Sequence, residues 1–157
     1  MRKMDLTDHF SWAEVVRSPT AKRLGISNLI PNEQVKKNVE RVAETMESVR
    51  FLIGRPIKVN SWYRSPLLNA TIGGSKTSAH MRGLAVDWEP VGMSLDQAFD
   101  IVLNSSIIFD QLIKEGTRDG ADWIHLGLSE GPPRGEVLLA SGERLGGTMH
   151  FRRVARG

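Results

Sequence analysis

Val35, Val39, Val42, Met46, Val49 and Ile53 recur at intervals of 4, 3, 4, 3 and 4 residues. Such positions fall on one stripe only if the backbone is helical, so the spacing predicts a helix over residues 32–53. Lys36, Lys37, Glu40, Arg41, Glu44 and Glu47 lie largely off that stripe. Gly54 supplies a C-terminal stop, and Pro56 prevents the helix from resuming. The helix reads as core scaffold and carries no chemistry. With 40% hydrophobic and 25% charged residues, the chain around it has ordinary globular composition, which excludes disorder, collagen and coiled coil. Its 157 residues suit a single domain, 1–157.

There is no cysteine. Disulfides, thiolate metal sites, iron–sulfur clusters and cysteine nucleophiles are removed together, and any metal must be held by His and carboxylate. No apolar run approaches the roughly 20 residues that span a bilayer, so no membrane insertion is expected. The start, Met1 to Phe10, has basic residues with no apolar stretch behind them. A Sec signal peptide is therefore not expected, and the product reads as soluble and made in the cytoplasm. The net charge of +3 permits an anionic partner, but its ordinary meaning is a solubilising surface.

Other elements follow from local signals. Ser11 and Glu14 form a capping box for a short helix ending near Ser18-Pro19. Ile57 to Tyr63 alternates and is rich in β-formers, so it reads as a strand, and a turn of helix follows Pro66. Gly73 to Ser78 is a loop, and Leu84 to Trp88 a second strand. Ser94 and Gln97 cap a helix with Leu95, Ala98, Phe99, Val102 and Leu103 inward. Residues 107–113, 123–128 and 136–140 read as further strands, with 116–122 and 129–135 as polar loops. This order predicts an α+β domain around a small antiparallel sheet flanked by helices.

Chemistry concentrates in Ser78-Ala79-His80-Met81-Arg82-Gly83-Leu84-Ala85-Val86-Asp87. His80 leaves a glycine-rich loop, Asp87 lies within the next strand, and Gly83 permits the sharp turn between them. Asp122-Trp123-Ile124-His125 adds a second imidazole. Two imidazoles and one carboxylate are a three-ligand set for catalytic zinc, with the fourth position left to water. The same residues also read as a loop-capping histidine, a salt-bridged carboxylate and a satisfied strand histidine. Asp87 weighs against that alternative, because a carboxylate inside the apolar run Leu84–Trp88 is costly unless paired or bound to a cation.

The pattern Ser78-x-His80-x-x-Gly83-x-Ala85-x-Asp87 resembles the zinc motif of peptidase family M15, which includes D-Ala-D-Ala carboxypeptidases and phage endolysins. The likeness runs to its short, single-domain phage-type members. His9-Phe10-Ser11-Trp12-Ala13-Glu14, Arg17-Ser18 to Asn28, Ser61-Trp62-Tyr63-Arg64-Ser65-Pro66-x-x-Asn69, Gly73 to Ser78 and Trp123-x-His125 support it in the right order. It covers roughly residues 8–130 and leaves 131–157 as a C-terminal extension. The resemblance implies a Hedgehog/DD-peptidase-like fold, one Zn2+ per chain held by His80, Asp87 and His125, and peptidoglycan peptides as substrate.

Carried over residue by residue, Asp122 matches the family's catalytic carboxylate, which would take a proton from the attacking water and pass it to the leaving amine. Positions three apart on a regular strand face opposite sides, so Asp122 must precede the strand that carries His125 or sit on a bulge. Glu115 and Asp119 are the reserve candidates. Arg64 matches an arginine that reaches substrate or a developing oxyanion. Ser78 matches the serine before the first ligand, and Tyr63 lies where its hydroxyl can join the site.

Elsewhere the ordinary reading is preferred. His9 is a packing or capping histidine, and His150 falls outside the family pattern. Trp62, Trp88 and Trp123 belong to the core or the cleft wall. Arg144, Arg152, Arg153 and Arg156 form a solvated basic tail; no nucleic-acid motif accompanies it. The function expected is a monomeric zinc peptidase of the bacterial cell wall, stored in a host cytoplasm until lysis or carried on a virion. The rival reading is a catalytically silent domain of the same fold, acting as a virion structural or wall-binding module.

Overall fold

The computed structural model describes residues 5–116, 123–141 and 150–153. Its elements in chain order are α1 (Trp12–Val16), α2 (Pro19–Leu24), α3 (Glu33–Ile53), β1 (Ile57–Ser61), α4 (Pro66–Thr71), a 3-10 turn (Ala79–Arg82), β2 (Ala85–Pro90), α5 (Leu95–Leu103), β3 (Gln111–Glu115), β4 (Trp123–Gly127), β5 (Glu136–Ser141) and β6 (His150–Arg153). The class is α+β. None of the described helices is long and apolar enough to cross a membrane.

The periodic segment forms α3 as expected. The Asn32 side chain accepts the Val35 N–H at its start, and Gly54 ends it at φ 65°. All six stripe residues are buried. They share one core with Val86 and Trp88 of β2, Phe99 and Val102 of α5, and Ile124 and Leu126 of β4. Both expected capping boxes, Ser11 with Glu14 and Ser94 with Gln97, are formed. Trp62 and Trp88 are fully buried, and Trp62 meets Phe10 edge-on with ring centroids 5.9 Å apart.

The sheet departs from expectation: it is mixed, not antiparallel. Six strands lie in the order β1-β2-β4-β3-β5-β6, and β3 and β5 run parallel. The cause is a short crossover. Gly127 at the end of β4 and Glu136 at the start of β5 both lie opposite Gln111, the first residue of β3. The chain between them has only to step over the beginning of β3, and it then enters the free edge in the direction of β3. Asp110 pins this step, bonding the Arg134 backbone N–H at 2.9 Å and gripping its guanidinium through both carboxylate oxygens.

Residues 107–110, expected to begin a strand, form the connection into β3. Ser105 captures the chain after α5: its hydroxyl donates to the Val102 carbonyl and accepts the Ile107 N–H. Ile108 is consequently exposed, Phe109 enters the core, and Ile107 packs partly buried against it. The first strand likewise ends at Ser61, before Trp62 and Tyr63.

The Arg134 hydrogen bonds, against a smaller opposing effect of burial, hold the Asp110 carboxyl below the usual range. A lowered folded-state pKa contributes stability above the unfolded value, near 4, and that contribution is lost as pH falls through the folded value. Asp110→Asn should therefore cost about 1–2 kcal/mol at neutral pH, a figure reduced by the exposure of Arg134. Urea denaturation of both proteins should show the difference shrinking below the ordinary carboxylate range. A pH-independent difference would show that the carboxylate charge contributes nothing.

Candidate metal centre

Strand register builds the centre. On β2, Val86 and Trp88 face the core, so Asp87 projects from the other face of the sheet. On β4, Ile124 and Leu126 do the same for His125. Asp87 and His125 are direct cross-strand partners, which places their side chains together. His80 arrives on the 3-10 turn, which Ser78 opens by accepting the His80 N–H and Gly83 closes at φ 70°.

Gly83 is required twice. Its backbone is left-handed, and a Cβ there would lie 2.8 Å from Val39 Cγ2 and 3.0 Å from the Val35 carbonyl oxygen. Strain and overpacking together should make Gly83→Ala destabilising by about 2–4 kcal/mol. Chemical denaturation measures this; wild-type stability would mean that the turn relaxes freely away from α3.

The three residues offer ligand atoms that all lie within 4.8 Å of one another. His125 Nδ1 is 2.9 Å from Asp87 Oδ1, and His80 Nε2 is 3.3 Å from Asp87 Oδ2. His80 Nδ1 lies 2.6 Å from the Trp62 carbonyl oxygen. A carbonyl only accepts, so Nδ1 carries the proton and a neutral His80 turns the Nε2 lone pair toward Asp87. Burial, reinforced by the Arg64 and His125 charges, lowers the His80 pKa despite Asp87 and so favours the neutral ring. A lone pair and a carboxylate oxygen then face each other in a buried site, an arrangement that asks for a cation between them.

Asp87 is held far below the usual carboxylate range: burial opposes ionisation, and the hydrogen bond from His125 Nδ1 favours the charged form. His125 is raised, because the hydrogen bond and charge of Asp87, with help from Glu115, overcome its burial. The centre thus contains an ionised carboxylate, one neutral imidazole whose free nitrogen points inward, and a second imidazole held against the same carboxylate. Nitrogen and oxygen donors of this kind suit zinc. The backbone bond to His80 is the outer support that such ligands ordinarily have.

The other site residues expected from sequence are distributed as follows. Arg64 donates from Nη2 to Ser78 Oγ at 3.2 Å, and its positive charge adds to the lowering of His80 and opposes the rise of His125. Ser78 thereby links His80 to the arginine. Tyr63 is 2% exposed and packs within the core, where burial raises its phenol. Glu115 follows two residues after Ile113, the cross-strand partner of His125, and therefore lies on the sheet face of the ligands. Asp122 and Asp119 lie outside the described residues, as do Arg144 and Arg156.

His9 is bound to Glu47 at 2.8 Å. His150 lies on β6, the edge strand farthest from β1. The Trp62 carbonyl, which orients His80, was not anticipated. A backbone group has no side-chain signature, and a strand expected to run through Tyr63 leaves no carbonyl of Trp62 to spare; the observed strand ends at Ser61.

Fold and site together define an α+β protein with a sheet-borne centre of two imidazoles and one carboxylate suited to a divalent metal. The family model described as Peptidase M15 matches residues 8–127, and the chain belongs to that family of zinc-dependent peptidases. No curated protein matches the chain. The match ends with the last residue of β4, so the crossover and the strands β5 and β6 lie beyond it.

Proposed function

We propose that the chain is a zinc peptidase of the Hedgehog/DD-peptidase fold that cuts peptide bonds in peptidoglycan stem peptides or cross-links, as a D-Ala-D-Ala carboxypeptidase or an endopeptidase. Its proposed setting is cell-wall lysis by a phage or prophage. The observation that carries the reading is the convergence of His80, Asp87 and His125, whose ligand atoms lie within 4.8 Å of one another, within a matched peptidase family.

His80 through Nε2, Asp87 through a carboxylate oxygen and His125 through Nδ1 would hold the zinc. Zinc in such a site supplies Lewis-acid polarisation of a carbonyl and a water made nucleophilic near neutral pH. Arg64, anchored on Ser78, presents a guanidinium to a substrate carboxylate or to the oxyanion of the tetrahedral state. Asp122 takes the proton of the attacking water and delivers it to the leaving amine.

Digestion of purified muropeptides, followed by mass spectrometry, tests the reading. Zinc-loaded protein should release D-Ala or split a stem peptide or cross-link, and protein stripped by chelation should not. Bound zinc with intact muropeptides would favour the silent wall-binding domain instead.

A further inference from the structure

Trp62 to Ser65 follow β1 without belonging to it, so no sheet ladder fixes them. Their backbone is nevertheless held on two sides. Toward the 3-10 turn, the Trp62 carbonyl accepts from His80 Nδ1 at 2.6 Å, and the Arg64 N–H donates to the His80 carbonyl at 3.2 Å. On the other side stands Asn28, which is 7% exposed. Its Nδ2 donates to the Tyr63 carbonyl at 3.0 Å and to the Val16 carbonyl at 2.9 Å, and its Oδ1 accepts the Ser65 N–H at 2.7 Å. Residues 62 and 64 thus address His80, while the carbonyl of 63 and the N–H of 65 address one asparagine amide and the Tyr63 N–H donates to the Val15 carbonyl at 3.0 Å.

We propose that Asn28 is a positioning residue of the metal centre, standing in for a missing neighbour strand and setting the orientation of His80 through the backbone of Trp62–Ser65. It touches no ligand. An amide is the one side chain of this size that offers two donors and an acceptor at once, as the two carbonyls and one N–H require. The inference rests on the reading of His80 as a zinc ligand.

The test uses Asn28→Asp, which keeps the shape but sets a carboxylate against two carbonyls, and Asn28→Ala, which removes all three bonds. Zinc affinity is read by chelator competition, and ligand geometry by the visible absorption of the cobalt-substituted protein. Both variants should bind zinc about tenfold more weakly, the low end of the effect of removing a direct partner of a ligand, with an altered cobalt spectrum. Val49→Ala, a cavity toward the far end of α3, should lower Tm while leaving zinc affinity within about twofold.

Wild-type zinc affinity and cobalt spectra in both Asn28 variants would overturn the proposal and leave Asn28 a purely structural residue. Should neither variant fold, zinc titration of the wild-type protein decides by NMR: the Asn28 side-chain amide resonances shift if the coupling exists, and their failure to move overturns it. A wild-type protein that binds no zinc defeats the metal reading and this inference together. Zinc binding without peptide cleavage defeats only the catalytic reading.

Discussion

His80→Ala and His125→Ala proteins should each fold and each lose stoichiometric zinc. Asp87 and His125 project from one face of the sheet and His80 joins them from the 3-10 turn, while the core that holds the fold, α3 and α5 against Val86, Trp88, Ile124 and Leu126, lies on the other face. His80→Ala leaves the Trp62 carbonyl without its donor, a cost of about 1–3 kcal/mol. His125→Ala removes the hydrogen bond that Asp87 accepts from Nδ1, and the carboxyl should respond by moving up from its depressed state. Neither cost approaches the contribution of the apolar core. Metal analysis after dialysis, with circular dichroism of the same samples, should therefore show near-native helix content and little zinc. Stoichiometric zinc in both variants would remove these histidines from the centre. In the wild-type protein, affinity should also fall on acidification, since protons compete with zinc for both imidazoles.

Asp122→Asn should separate catalysis from metal binding. The amide keeps the shape of the side chain but cannot accept a proton from the attacking water. Cleavage should fall by about 10²–10⁴-fold, the usual contribution of general acid–base catalysis, with zinc retained. Glu115 provides the comparison, because it lies on the sheet face of the ligands and its charge helps raise His125. If Glu115→Gln or Asp119→Asn abolishes turnover while Asp122→Asn does not, the proton-transfer role moves to that residue. Full activity in all three variants, with cleavage still dependent on zinc, would contradict the proposed proton path.

Features that depend on neighbours in the chain were readable in the residues. The α3 stripe, its Gly54 stop and the two capping boxes are local matters of spacing and hydrogen-bonding side chains. The grouping of His80, Asp87 and His125 came from residue chemistry and resemblance, and the pairing of β2 with β4 brings the three together. The parallel alignment of β3 and β5 was not readable, because it depends on where the polar segment 128–135 lands in space. Apolar Ile107-Ile108-Phe109 imitated a strand, since nothing in its composition reveals that Ser105 has already turned the chain. The role of Trp62 is carried by its carbonyl, which every residue possesses, and only the observed bond to His80 distinguishes it.

Zinc K-edge X-ray absorption on the loaded wild-type protein tests the central claim most directly. A four-coordinate ion is expected, with two imidazole nitrogens at about 2.0–2.1 Å and oxygen in the remaining positions, from Asp87 and water. A spectrum without imidazole scattering, or an identical spectrum from the His80→Ala protein, would contradict it.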